Sequence, residues 1–302
     1  MIMQTMKEIF EEIETNGGMT PSRRLRDIAN RFPEQIAFRD KRYGIWNEMS
    51  YKEFWMEVQY VGCALNYFGI QKTEKVAIHS ENRPEWLIAD IGVQAIGGIT
   101  VGLYPTNPPA EVQYLLSHSE SKILFAEDQE QVDKALEVLD EVPNLSKIIY
   151  FEEKGLFRYD SEKLMRWDEF LEIGKEEYEK NKDFVNFCID EIKSEDVALM
   201  IYTSGTTGPP KASMLSHGNM EWTASIIPDL SFTPNISNPE YLSYLPLCHV
   251  FGRLVDEIIA INSIGTINFA ESIDTVQRDL AEIQPSIFPV SYTHLRAHET
   301  AY

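Results

Sequence analysis

The chain has 302 residues, 43% hydrophobic and 25% charged, ordinary globular proportions that allow one large or two medium domains around a substantial core. Its 48 acidic residues outnumber the 27 basic ones, for a formal charge of -21, and so acidic a surface excludes the phosphate backbone of nucleic acid as a partner. An anionic small molecule would need strong local donors to overcome that background.

Cys63, Cys188 and Cys248 lie far apart, are odd in number and form no CxxC pair. That argues against a disulfide framework or a zinc knuckle and for a reducing cytoplasm. The opening residues turn acidic at Glu8, Glu11 and Glu12, without the basic-then-apolar order of a signal peptide. The longest apolar region, 88–104, is broken by Asp90, Gln94 and four glycines, so membrane contact is expected to be peripheral at most.

In chain order, Thr20 followed by Pro21 starts a helix with Leu25, Ile28 and Phe32 on its apolar face. Short strands at 36–38 and 45–49 flank a turn at 41–44. Ser50 and Glu53 form a capping box for a helix whose Phe54, Val58, Val61, Leu65 and Phe68 recur at helical spacing until Gly69. Strands at 76–79, 99–103, 123–126 and 147–151 then alternate with helices at 84–96, 109–118 and 129–139. This alternation predicts an α/β fold with a mostly parallel sheet covered on both faces. Residues 152–195 are charged and strand-poor, with one helix near 168–178, and read as a surface connection between two sheet units. After it come a strand at 197–202, a glycine loop, a helix from His217, a strand at 241–245, a helix over 255–261 and a strand at 266–269. The expected division is a first α/β subdomain at 1–180, a connection at 181–195 and the start of a second subdomain at 196–288.

The most telling stretch is YTSGTTGPPKA, residues 202–212, at the end of the apolar run 197–201. Thr203, Ser204, Gly205, Thr206, Thr207 and Gly208 combine hydroxyl donors with glycines that let backbone N–H groups approach an anion, and Lys211 adds a positive point charge. As composition alone the stretch is an ordinary loop. Its order is not that of a Walker A loop, because five residues on from Gly205 stands Pro210.

The stretch closely resembles the phosphate-binding signature of the adenylate-forming superfamily, which includes acyl-CoA synthetases, luciferases and peptide-synthetase adenylation domains. Ser80-Glu81-Asn82-Arg83-Pro84-Glu85-Trp86, Val101-Gly102-Leu103-Tyr104-Pro105-Thr106-Asn107 and Met214-Leu215-Ser216-His217-Gly218-Asn219 resemble further segments of its long-chain fatty acid:CoA ligase branch. So does Leu245-Pro246-Leu247-Cys248-His249-Val250-Phe251-Gly252-Arg253, although Gly252 stands where the family has glutamate and Ala212-Ser213 where it has Gly-Val. The resemblance implies ATP, Mg²⁺ and CoA as co-substrates, with Thr203 to Gly208 and Lys211 as the polyphosphate cradle and Thr203 near the metal. It also implies catalytic roles for Lys211 and His249, with His249 and Phe251 bordering the acyl group; alternatively, His249 bonds a neighbouring carbonyl at a strand end. Arg83 and Glu85 read as a solvated helix start, Trp86 as core, and His217 as a capping or hydrogen-bonding residue.

The family pattern holds over about residues 20–288, after which 289–302 reads as a foreign tail. His294 and His298 there are four apart, a spacing too weak for a metal site. Adenine, ribose and CoA contacts and a mobile C-terminal domain are then expected to be absent, leaving a sheet without its later strands and with an unpaired edge. Three readings follow: activation of a long-chain fatty acid by a longer parent enzyme, adenylation of an aryl or amino acid instead, or a non-catalytic remnant.

Overall fold

The computed structural model describes residues 20–203, 208–226 and 238–289. Helix α1 (Pro21–Arg31) starts where expected: the Thr20 side chain accepts the Arg23 N–H at 3.2 Å. Strands β1 (Ile36–Arg42) and β2 (Ile45–Ser50) pair as a hairpin, and α2 (Tyr51–Tyr67) opens on the Ser50/Glu53 capping box. There follow β3 (Lys75–His79), α3 (Pro84–Ala95), β4 (Ile99–Leu103), α4 (Pro109–Ser119), β5 (Ile123–Ala126), α5 (Gln129–Glu137) and β6 (Lys147–Tyr150). Then come β7 (Leu164–Arg166), α6 (Trp167–Lys180), α7 (Phe184–Asp190), β8 (Val197–Thr203), β9 (Lys211–Ser216) and α8 (His217–Ile226). Strand β10 (Glu240–Ser243), the one-turn helix α9 (Val250–Arg253), a π-helical stretch (Leu254–Ala260), β11 (Thr266–Phe269) and α10 (Val276–Ile283) complete the order.

Two sheets result. The larger has the order β7-β6-β5-β3-β4-β8-β9, parallel throughout except that β9 runs against β8. The smaller, β10-β11-β1-β2, brings the hairpin at 36–50 beside strands more than two hundred residues later. In the larger sheet, successive residues of one strand enter different cores. Val76, Ile78, Ile123, Phe125 and Ile201 join the cluster with α2, α3 and the smaller sheet, while Ala77, Val101, Leu124, Met200 and Tyr202 join the one with α4 and α5. Both faces are thereby covered, which is why these strands read as unbroken apolar runs.

Two expectations are corrected. Residues 181–195 do not separate two sheet units, because β8 pairs with β4 in the sheet that precedes them and it is β10 and β11 that join the hairpin at 36–50. Period-2 patterning marks a strand but carries no information about which neighbour it selects. The loop after β8 leads not directly to a helix but to β9, whose exposed and half-buried residues on an antiparallel edge give little apolar signal. Among the described residues no helix is long and apolar enough to cross a membrane.

Candidate functional site

Strand β8 is buried along its length and emerges at Thr203, which is exposed. The chain returns at Lys211, also exposed and directly opposite Thr203 in the ladder, so their side chains stand on one face of the sheet. Between them Gly208 has φ +108°, a backbone shape that side-chain-bearing residues rarely adopt. Ser204, Gly205, Thr206 and Thr207 lie outside the described residues. Thr203, Gly208 and Lys211 thus bracket the stretch, with a hydroxyl and an ammonium facing each other across its base.

Behind that base, on the opposite face, Tyr202 is buried and its hydroxyl lies 2.7 Å from His118 Nδ1. One turn earlier on α4, Tyr114 stacks on His118 at 5.4 Å between ring centroids and donates its hydroxyl to the Pro210 carbonyl at 2.9 Å. In front, the segment 245–253 crosses the sheet. A Cβ on Gly102 would stand 2.8 Å from Cys248 Cα, so only glycine admits that crossing. Gly102 pairs with Ile201, two residues before Thr203 and on the same face as Thr203 and Lys211.

The segments singled out in the sequence therefore meet. Asn82 clasps the crossing segment with two bonds, its amide nitrogen donating to the Leu245 carbonyl at 2.7 Å and its oxygen accepting the Leu247 N–H at 2.9 Å, and ties it to the end of β10 by donating to Ser243 Oγ at 2.9 Å. Arg253 reaches back, lying 4.6 Å over the fully buried Trp86 ring and donating to Asp90 at 2.7 Å and to the Leu247 carbonyl at 3.1 Å. Sequence reading missed Asn82, Tyr114, His118 and Arg253. The four-residue spacing of Tyr114 and His118 on a helix was the available signal for that pair.

His249 is exposed, and its Nδ1 accepts the Phe251 N–H at 3.1 Å, capping α9 rather than bonding a carbonyl; Phe251 is half-buried. His217 does not cap α8. Ser216 does, exchanging bonds with Asn219 at 3.0 and 3.2 Å, while the buried His217 ring has no partner at either nitrogen among the described residues and burial lowers its pKa to about 4. Arg83 and Glu85 are not a solvated pair: Arg83 bonds Glu85 at 2.8 Å and Glu152 at 2.8 Å in a largely buried cluster. Burial pushes the Glu85 carboxyl up, but Arg83 and Arg42 outweigh it and hold it at about 2. The thiols of Cys63, Cys188 and Cys248 are free, and burial pushes Cys248 up to about 12, which leaves it a poor nucleophile.

A cavity of about 500 Å³ lies between the sheets, lined by Lys41, Asn82, Arg83, Ser243, Tyr244 and Glu271 among others, and neither Thr203 nor Lys211 borders it. Among the described residues no group of three or more His, Cys, Asp or Glu could hold a metal ion. Thr203 could by itself offer a cation only one hydroxyl oxygen.

Solved structures share this fold. The anthranilate CoA ligase AuaEII, in complex with anthranoyl-AMP, matches 89% of this chain and 49% of its own with a TM-score of 0.69 at 19% identity. The Mycobacterium tuberculosis fatty acyl CoA synthetase matches 86% and 47%, with a TM-score of 0.67 at 18% identity. The fold is that of the N-terminal part of adenylate-forming acyl-CoA ligases. The AMP-binding enzyme family matches residues 25–299, and the chain belongs to that family. The match runs over most of the segment 289–302 that the sequence reading sets apart as foreign; residues 290–302, His294 and His298 included, lie outside those the structure describes. Curated relatives include the long-chain-fatty-acid–CoA ligase ACSBG2 of Xenopus laevis, 30% identical over 270 residues, which are 87% of this chain and 36% of the relative. The ACSBG2 ligase of Homo sapiens is 30% identical over 276 residues, 89% and 40% respectively. The chain thus spans well under half the length of these relatives.

Proposed function

We propose that this chain carries the triphosphate-gripping part of an AMP-forming ligase that activates a long-chain fatty acid. The carrying observation is the pairing of Thr203 with Lys211 at the mouth of a Ser/Thr/Gly loop, on the face crossed by the segment 245–253. In the reaction, a carboxylate oxygen attacks the α-phosphorus of ATP, the bond to the bridging oxygen breaks, and pyrophosphate leaves; the CoA sulfur then attacks the acyl carbon and AMP leaves. No covalent protein nucleophile is required. The chain's task is to hold two anions in line and to offset charge that builds on the phosphates, work suited to backbone N–H groups, hydroxyls and the Lys211 ammonium. Mg²⁺ bound to ATP would neutralise further phosphate charge. His249, held as a helix cap, and Phe251 would border the acyl group, and the cytoplasm is the proposed setting, with membrane contact peripheral at most.

The fatty-acyl substrate rests on the long-chain ligases among the relatives. A second reading, adenylation of an aromatic acid, draws on the fold shared with AuaEII. The deciding experiment is carboxylate-dependent exchange of pyrophosphate into ATP, run on this chain and on a longer version carrying the rest of the relatives' length. Exchange driven by long-chain fatty acids is expected from the longer version, and exchange driven only by aromatic or amino acids refutes the substrate assignment. Replacing Lys211 with Ala is expected to cut that exchange roughly a hundredfold, the scale of one lost electrostatic donor; unchanged kinetics would remove Lys211 from the mechanism.

A further inference from the structure

We propose that Tyr114 and His118 of α4, with Tyr202 of β8, are positioning residues that clamp the two ends of the 204–210 loop from behind the sheet, an inference that rests on the phosphate-binding reading of that loop. The loop is longer than the about two- to five-residue connections whose turn geometry holds a hairpin in shape. Its returning arm is also Pro209-Pro210, two residues with no N–H, so that arm can donate no backbone bond to the β ladder. The Tyr114 hydroxyl holds that arm by another bond, donating to the Pro210 carbonyl at 2.9 Å, immediately before Lys211.

The outgoing arm is held through the same helix face. Tyr202, the residue before Thr203, has its hydroxyl 2.7 Å from His118 Nδ1 and its ring edge-on to the imidazole, with centroids 5.7 Å apart. Burial raises the Tyr202 phenol to about 12, so its proton is retained for that bond. Tyr114 and His118 stack on one another, four residues apart, so motion of either arm must disturb both rings. Neither residue is placed to touch a ligand on the opposite face, where Thr203 and Lys211 stand. Their role is to fix the separation of that hydroxyl and that ammonium, as an anion site needs to be preorganised to avoid an ordering cost on binding.

The test is titration of inorganic tripolyphosphate, a probe independent of any adenine contact, into this chain and into Tyr114→Phe, Tyr202→Phe, His118→Ala and His118→Asn, with hydrogen exchange followed across 203–211. Each Phe variant and His118→Ala should bind roughly two- to tenfold more weakly, the worth of one hydrogen bond. His118→Asn, which keeps an acceptor for the Tyr202 hydroxyl, should restore binding to within about twofold. Exchange should quicken at 203–211 and at no other described segment. Unaltered affinity in the variants overturns the clamp alone. Loss accompanied by faster exchange throughout and a lower melting temperature overturns the positioning role in favour of a general stabilising one. Absence of tripolyphosphate binding by the unsubstituted chain overturns the phosphate-loop reading itself and the clamp with it.

Discussion

Gly252, where the sequence resemblance leads one to expect glutamate, has surroundings that admit only glycine. A Cβ there would lie 2.3 Å from the Pro246 carbonyl oxygen and 2.7 Å from that of Leu245, inside contact distance of backbone that cannot swing aside. The crossing segment folds so tightly on itself because Asn82 pulls in Leu245 and Leu247 while Arg253 bonds Leu247 from the other side. Gly252→Ala is expected to lower unfolding free energy by about 1–3 kcal/mol, the usual cost of overpacking, and to loosen the cap that His249 makes on Phe251. Urea denaturation of the two proteins measures it, and equal midpoints would mean that the segment has slack the geometry denies. Glycine at this position is therefore a local packing solution, and only the neighbouring carbonyls reveal it.

At the scale of elements, the π-helical stretch following α9 carries an unusual charge load into the core. Asp256 and Glu257 are both buried, Asp256 accepting from Ser243 Oγ at 2.5 Å and Glu257 from Gln94 at 2.8 Å. Burial pushes the Asp256 carboxyl from its ordinary value up to about 7, with the Ser243 hydroxyl pulling only partly back, and burial with Asp90 nearby raises Glu257 as well despite Arg253. A carboxyl raised in the folded state holds its proton there more tightly than in the unfolded chain. Its stabilising contribution is thus complete below about pH 4, is lost as pH climbs through about 7, and then stays lost. For Asp256 the loss amounts to at most about 4 kcal/mol. Asp256→Asn, which keeps an acceptor for Ser243 but cannot ionise, should flatten that decline; melting curves of the two proteins at pH 5 and pH 8 that differ by the same amount would refute the assignment. Such a wide helical turn recurs at functional sites, and here it sits directly after the segment that crosses the sheet beside Thr203.

Across the whole molecule, distant parts of the chain are tied together around the smaller sheet. Tyr51 donates to the Gly265 carbonyl at 2.7 Å, Arg24 to the Asn262 carbonyl at 2.8 Å, and Lys41 of β1 pairs with Asp279 of α10 at 2.8 Å with both side chains almost fully buried. Removing Lys41 takes the nearer cation from buried Asp279, leaving Arg278 at 3.7 Å, and also takes it from Glu282, which Lys41 contacts at 2.6 Å. Lys41→Met is expected to cost about 3–5 kcal/mol, whereas Lys41→Met with Asp279→Leu should recover most of it, since an apolar pair can replace a buried ion pair. Chemical denaturation of the three proteins decides the point, and a double variant no better than the single would show that the pair contributes more than mutual neutralisation. The long sequence separation of these contacts, β1 with β11 above all, should make closure of the smaller sheet a slow step of folding.

Much of this was legible in the residues alone. Thr20-Pro21 and Ser50/Glu53 announced helix starts through bonds made within three residues, and the buried runs at 76–79, 99–103, 123–126 and 197–202 announced parallel strands because they face apolar neighbours on both sides. The Ser/Thr/Gly stretch ending in Lys211 showed in the same way the end of a buried strand, and the anion site proposed there rests on its own chemistry. Partners in space were not legible: which sheet claims β8, why buried Arg83 pairs with half-buried Glu85, why Ser216 rather than His217 caps α8, and how Asn82, Gly102 and Arg253 gather one crossing segment beside Thr203. Caps, turns and hydrophobic periods are written in neighbours a few bonds apart, whereas strand order and buried polar contacts arise from which distant surfaces fit and satisfy one another. That choice is made only when the chain closes on itself.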